Sequence, residues 1–341
     1  MSPKKLSLPT MNDWVAAVIR EHRVFGPQAK GDRFAYDLLG CPADLRLDHD
    51  VTILPPKKYL MPPREVLLTF TRSGKFESVM EGEPLVLFGV HPYDVAAIAQ
   101  MDRYFTQDNV DSHYVARRKK VTIVACDVQS ASENVFAACM GTATVPDGFD
   151  VLLTLVGETY VVESRTAAGD ALLALAGGLE DADAVSLGRR EQLWMDAQKL
   201  LRRQNLRCQV EDLPGLLDRS YEHAAWRQKS ELCFSCGSCV MVCPSCFCFD
   251  VQDEVGWDLV SGERRRQWDG CLLTQFARVA GDHNFRKLRE ERYRHRFYRK
   301  GKYLHDRCGF VACVGCGRCT TACTSEIASP VALYNSLLED Q

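Results

Sequence analysis

Two short cysteine runs constrain this chain more than any other feature. The first is Cys233, Cys236, Cys239 and Cys243, followed by Pro244, and the second is Cys313, Cys316, Cys319 and Cys323. Each reads C-x2-C-x2-C-x3-C, a spacing in which three thiolates hold one [4Fe–4S] cluster and the fourth completes the other. The expected ligand sets are therefore crossed: Cys233, Cys236 and Cys239 with Cys323, and Cys313, Cys316 and Cys319 with Cys243. Zinc takes four thiolates from two C-x2-C pairs, so eight ligands in two identical runs are too many for one ion and wrongly grouped for two. Crossing forces the runs together although 69 residues lie between them. It also brings two one-electron centres close, so the implied chemistry is electron transfer. Gly237, Gly315 and Gly317 supply the free backbone a tight wrap needs. Thr324 stands where the second run would often have proline, and it costs no ligand.

Composition narrows the setting. Sixteen cysteines, with no apolar h-region after Met1, point to metal ligands in a reducing cytoplasm and not to disulfides. No run approaches the ~20 apolar residues needed to cross a bilayer. A net charge of −3 gives no reason to expect nucleic acid.

At 341 residues the chain has room for two units. The expected fold is α+β: a mixed α/β scaffold or docking domain over 1–225, then a dicluster ferredoxin-like domain over 226–341 with a long helical spacer. Periodicity predicts a helix from about Asn12 to Arg23. Strands are expected at 65–70, 84–90 and 121–126, and a hairpin at 151–155 and 160–163. Further helices are expected after Pro92, at 170–175, at about 188–207 and at 267–280, the last from the spacing of Leu272, Phe276 and Val279. Trp257 to Gly262 reads as a turn. No G-x-G-x-x-G follows a strand and no G-x4-G-K-[ST] occurs, so a flavin or nicotinamide belongs on another subunit. The alternative is an enzyme with its own flavin or small-substrate site in the N-terminal domain.

Several residues carry open readings. Cys246, Cys248, Cys271 and Cys308 lie near the runs. They either hold a third iron–sulfur or metal site, with Asp250 or His283 assisting, or pack as apolar thiols. Cys41, Cys126, Cys139 and Cys208 read as small buried hydrophobes. Between Asp282 and Arg307 ten Lys/Arg face four Asp/Glu, interleaved with Phe285, Tyr293, Phe297 and Tyr298. The stripe, with Arg292, Arg294 and Arg296, is either a solvated helix face or a docking surface for an acidic partner.

Specific motifs carry a resemblance. Cys243-Pro-Ser-Cys-Phe-Cys-Phe-Asp-Val-Gln-Asp253, Trp268-Asp-Gly-Cys271, Ala280-Gly-Asp-His-Asn-Phe-Arg286 and Cys313-Val-Gly-Cys-Gly-Arg-Cys319 resemble the dicluster subunit family. That family includes β subunits of cytoplasmic sulfhydrogenases and A subunits of anaerobic sulfite reductases. Ile53-Leu-Pro-Pro-Lys-Lys-Tyr-Leu60 and Phe88-Gly-Val-His-Pro-Tyr-Asp94 extend the likeness into the N-terminal half. The resemblance implies an electron-transfer subunit with two [4Fe–4S] clusters. In such complexes it links a flavin subunit using NAD(P)H to a catalytic subunit, such as a [NiFe] hydrogenase or a sulfite reductase. Many relatives read Gly-Val-Arg-Pro-Cys-Asp where this chain has Gly89-Val-His-Pro-Tyr-Asp94. There Asp94 is expected to cap the helix after His91. Lys57 and Lys58 are expected at an interface or in solvent.

Overall fold

The computed structural model describes residues 2–339. Its N-terminal half is built on an eight-stranded sheet. The strands are β1 (Lys4–Ser7), β2 (Val24–Lys30), β3 (Arg33–Leu38), β6 (Leu85–Val90), β7 (Val121–Cys126), β8 (Val151–Val156), β9 (Thr159–Ser164) and β10 (Glu180–Asp181). Their spatial order is β10-β1-β9-β8-β7-β6-β2-β3. The central strands β2, β6, β7 and β8 run parallel, and antiparallel strands close both edges. Parallel strands are covered on both faces, so they read as near-continuous apolar runs.

The period of two then sorts side chains into two cores. Leu87, Ile123, Ala125 and Leu152 face the Pro92–Thr106 helix and join Ile98, Met101 and Phe105. Phe88, Val124, Cys126, Val151 and Leu153 face the other way, onto Trp14, Val15 and Val18 of the Leu8–Glu21 helix. That helix starts four residues before the expected Asn12. The Ser7 hydroxyl accepts from the Thr10 N–H and Pro9 sits in the first turn, which fixes the start there. The long helix expected at 188–207 runs instead from Ala184 to Leu200, opened by the Asp183 carboxylate on the Ser186 N–H.

A second sheet joins the two halves of the chain. β4 (Arg64–Thr71) and β5 (Phe76–Ser78) come from the N-terminal half, and the hairpin β11 (Phe249–Val255) and β12 (Ser261–Trp268) comes from between the cysteine runs. Their order is β11-β12-β4-β5, so the hairpin is fastened through β12 to β4. Glu65, buried, accepts from Arg117 and Arg266 at 2.7 Å each, which clamps the join.

The helix expected over 267–280 does not form. Gln267 and Trp268 finish β12, with the Trp268 N–H bonded to the Pro63 carbonyl at 2.8 Å. Residues 269–279 then fold as successive turns. A Cβ on Gly270 would lie 2.5 Å from Val240, so the chain crosses the first cysteine run too closely for a helix. The spacer is thus part hairpin and part helix, the latter at Arg289–Tyr298. The fold is α+β. No helix among the described residues is long and apolar enough to cross a membrane.

Candidate metal centre

The two cysteine runs fold alike. In each, a glycine takes the left-handed conformation immediately after the second cysteine and opens a one-turn helix that carries the third. Gly237 (φ 79°, ψ −9°) precedes Ser238–Met241, and Gly317 (φ 79°, ψ −13°) precedes Arg318–Thr321. Only glycine adopts that backbone without a Cβ penalty. The two short helices pack against each other, bringing the runs together.

Cys233, Cys236, Cys239 and Cys323 line one cavity, together with Leu272, Tyr293, Arg296 and Ile327. Three thiols of the first run thus meet the last thiol of the second, as crossing requires. The other four approach one another as well. Cys319 and Cys243 both act electrostatically on Cys313 and on Cys316.

Among the described residues no three His, Cys, Asp or Glu side chains converge as the ligands of one bound ion do. Tetrahedral zinc at a Zn–S distance of about 2.3 Å needs sulfurs about 3.8 Å apart. A cubane spreads its four thiolates more widely and takes sulfur donors throughout. All-sulfur donor sets round a shared cavity therefore fit a cluster.

The surrounding charges support the same fit. Burial pushes the thiols up, Cys239 and Cys316 to about 12 and Cys313 to about 11, so something must offset ionisation. Cations do. Arg296 is buried, donates one bond to the Ala328 carbonyl at 3.1 Å, and leaves its Nε without a partner. Lys300 is buried and donates to the Ser245 hydroxyl at 3.0 Å and the Ala312 carbonyl at 3.1 Å. Burial works to discharge Lys300, but the Cys243, Cys246 and Cys313 sulfurs outweigh it and raise its pKa well above the ordinary lysine value. Lys57, also buried, donates to the Cys246 carbonyl at 2.5 Å and lies 4.3 Å from the Trp268 ring centre. None of these three cations has a carboxylate partner among the described residues. A buried cation without an anion costs several kcal/mol, roughly, after relaxation. Thiolate-bound clusters, net negative, are the anions that make such cations tolerable.

Hydrogen bonds tune individual sulfurs. The Ser235 N–H donates to Cys233 Sγ at 3.4 Å. The Ser238 hydroxyl, 3.4 Å from Cys236 Sγ, holds that thiol below its usual pKa, and Cys236 is the exposed member of its set.

Residues 232–327 match the family model described as a 4Fe-4S dicluster domain. Across 307 residues, 89% of each chain, the sequence is 31% identical to sulfhydrogenase 2 subunit beta of Pyrococcus furiosus. The chain belongs to that family. It is an iron–sulfur electron-transfer protein of the dicluster type, and the family likeness covers the N-terminal sheet as well as the cysteine runs.

Several family-motif residues sit elsewhere than expected. Asp94 caps nothing. It is buried and forms a bidentate pair with Arg318, both bonds 2.7 Å, while Arg318 also donates to the Thr52 carbonyl at 2.7 Å. Arg318 lies between Cys316 and Cys319, so the Gly-Val-His-Pro-Tyr-Asp motif anchors the second run. His91 stacks in parallel on His49, ring centres 3.9 Å apart. Lys57 is buried instead of solvated, and burial lowers its pKa against the opposing pull of the Cys246 and Cys243 sulfurs, whereas Lys58 is half-buried and donates to the Tyr36 carbonyl at 2.9 Å.

The basic stripe also turns partly inward. Arg292 donates to the Ser235 hydroxyl at 3.1 Å beside the first run and Arg294 is half-buried, 4.0 Å from the Tyr221 ring centre, while Lys287, Arg289 and Arg307 stay exposed. His283 is exposed and packs on Phe285. Cys126 is buried, Cys139 and Cys208 pack at a core edge, and Cys41 is exposed, against expectation.

Sequence reasoning missed Arg318 and Lys300, and it placed Arg296 on a surface stripe although it is buried. Arg292, Arg296 and Lys300 recur every four residues, on the same side of a helix as Tyr293 and Phe297. Cations interleaved with an apolar face were the available signal of a buried anion.

Proposed function

We propose that this chain relays single electrons inside a hetero-oligomeric oxidoreductase, between a flavin subunit that uses NAD(P)H and a catalytic subunit of hydrogenase or sulfur/sulfite-reducing type. The observation that carries the reading is the cavity shared by Cys233, Cys236, Cys239 and Cys323. Each [4Fe–4S] cluster, when bound, accepts and gives up one electron at a potential set by sulfur hydrogen bonds, charge and exposure. The eight run cysteines hold the clusters in crossed sets. Arg296 and Lys300 offset their charge from within, and Arg318 fixes the second nest. The division at 225/226 is a division of labour: the N-terminal part scaffolds and docks, and the C-terminal part conducts. Relatedness to a protein named as a sulfhydrogenase subunit supports the partner assignment. The cysteine content, all thiols free, supports a reducing cytoplasm.

Paired serine substitutions test the crossing. In anaerobically purified protein, Cys236→Ser combined with Cys323→Ser is expected to remove one cluster, about four irons. Loss of both clusters would show that each run holds its own, and wild-type protein without iron or acid-labile sulfide would end the relay reading altogether.

A further inference from the structure

The leftover cysteines do not scatter. Cys246, Cys248 and Cys271 line a second cavity with Asp269, Arg296, Arg299 and Lys300. We propose that this cavity is a third cluster site, in which the Cys246, Cys248 and Cys271 thiolates and the Asp269 carboxylate hold a further [4Fe–4S] cluster.

The charge balance is the first argument. Three cations line the cavity, and Lys57 adds a fourth through the Cys246 carbonyl. None of the four has a carboxylate partner among the described residues, and three of them are buried. Arg296 and Lys300 also face the two main clusters, so the surplus particular to this cavity is Arg299, with Lys57 behind Cys246 and the Asp269 carboxylate opposite. Three thiolates, a carboxylate and a cluster core make a doubly negative unit of the kind it requires.

Shape and donor type are the second. The three thiols share one cavity with one carboxylate, a sulfur-dominated donor set that suits a cluster. Soft thiolates select iron–sulfur, and a carboxylate at the cavity wall can take the remaining iron. Transfer of a pre-formed [4Fe–4S]2+ core from a thiolate carrier breaks the carrier's iron–sulfur bonds and forms three here. The three thiol protons pass to the released carrier thiolates, and the Asp269 carboxylate replaces the fourth carrier ligand, with no change of oxidation state. Asp250 and His283 do not line this cavity. Cys308 does not either: it is buried among Phe105, Leu304 and Ala312 as an apolar thiol.

Position gives the site its use. Arg296 lines both this cavity and that of the first nest. Cys246 interacts directly with Cys243, assigned to the second nest. A cluster here adjoins both others and adds a third one-electron centre between them.

The test is metal and sulfide content of the full chain, prepared anaerobically. About twelve irons and twelve sulfides are expected, against about eight for two clusters. Cys248→Ser and Cys271→Ser are each expected to lower the count by about four, while Cys308→Ser leaves it unchanged. Asp269→Cys should keep the iron and shift the potential and EPR signal of one cluster, a readout that does not depend on the serine variants folding. Eight irons in wild type, or eight irons with one zinc that Cys271→Ser removes, would overturn the proposal while leaving the two-cluster relay intact. Fewer than eight would overturn this proposal and count against the two-cluster relay as well.

Discussion

The two nests share a ligand spacing and a glycine turn yet sit in different surroundings. The first lies at the surface: Cys236 is exposed, Phe234 beside it is 73% exposed, and Leu232 is 60% exposed. Its glycine turn meets only a flexible side chain, Leu273. The second is set into the N-terminal half. The Phe136 N–H donates to the Gly315 carbonyl at 2.8 Å, the Thr142 hydroxyl to the Val314 carbonyl at 2.7 Å, and Arg318 grips Asp94. Spacing decides what binds, and surroundings decide what the bound centre does. An exposed nest exchanges electrons with a partner, and an enclosed one is shielded from solvent and held at a fixed potential.

The sharpest way to break this contrast is to remove Asp94. Asp94→Ala leaves Arg318 charged, buried and unpaired, which is expected to cost about 3–5 kcal/mol. Anaerobic urea unfolding should show it, together with loss of about four irons from the second nest alone. Retained iron at wild-type stability would mean the N-terminal half does not hold that nest.

Glycine substitutions sharpen the same contrast at lower cost. A Cβ on Gly317 would lie 2.5 Å from the Asn134 carbonyl oxygen, whereas one on Gly237 meets Leu273 at 2.9 Å. Gly317→Ala therefore adds a backbone clash to left-handed strain, about 2–4 kcal/mol in all. Gly237→Ala should cost about 1–2 kcal/mol, the strain alone, because Leu273 can move aside. Equal midpoint shifts in urea would show that the two turns are equally free.

What the sequence disclosed follows the range of each interaction. The dicluster character of the two runs was legible because ligand spacing is local and repeats residue for residue. β6, β7 and the β8–β9 hairpin were legible because a buried strand writes its period into successive residues. Asp94 with Arg318 was not, since 224 positions separate the partners and each alone resembles a surface residue. The pairing of β12 with β4 was hidden likewise. Leu272, Phe276 and Val279 mimicked a helix because turns wrapped against the first run also bury every third or fourth residue. The basic stripe misled for a different reason: charge reads as solvent exposure until a buried anion is known.

The second nest should also be the acid-sensitive one. Burial holds His49 at a pKa of about 3 and His91 well below its ordinary value. Below the unfolded value of about 6.5 the unfolded chain gains protons that the folded chain refuses, so stability present above that pH is lost as the pH falls. The loss is about 1.4 kcal/mol per pH unit per histidine, or roughly 2 kcal/mol for His49 between pH 6.5 and 5. His49→Gln should flatten the pH dependence of the urea midpoint by that amount. An unchanged slope would show that the stack takes up protons without unfolding.

The smallest effect on stability should carry the clearest functional signal. Phe234→Ser removes an exposed ring beside Cys236, so stability should stay within about 0.5 kcal/mol and iron content should not change. Packing between the first nest and its partner would suffer, and stopped-flow oxidation of the reduced chain by its partner subunits should slow several-fold. Trp257, fully exposed at the tip of the β11–β12 hairpin, offers an equally prominent apolar ring distant in sequence from any run cysteine. Trp257→Ser should leave the intrinsic transfer rate alone even if it weakens assembly. If the Trp257 variant slows transfer at saturating partner and the Phe234 variant does not, electrons leave by another face, and the exposed nest is not the port.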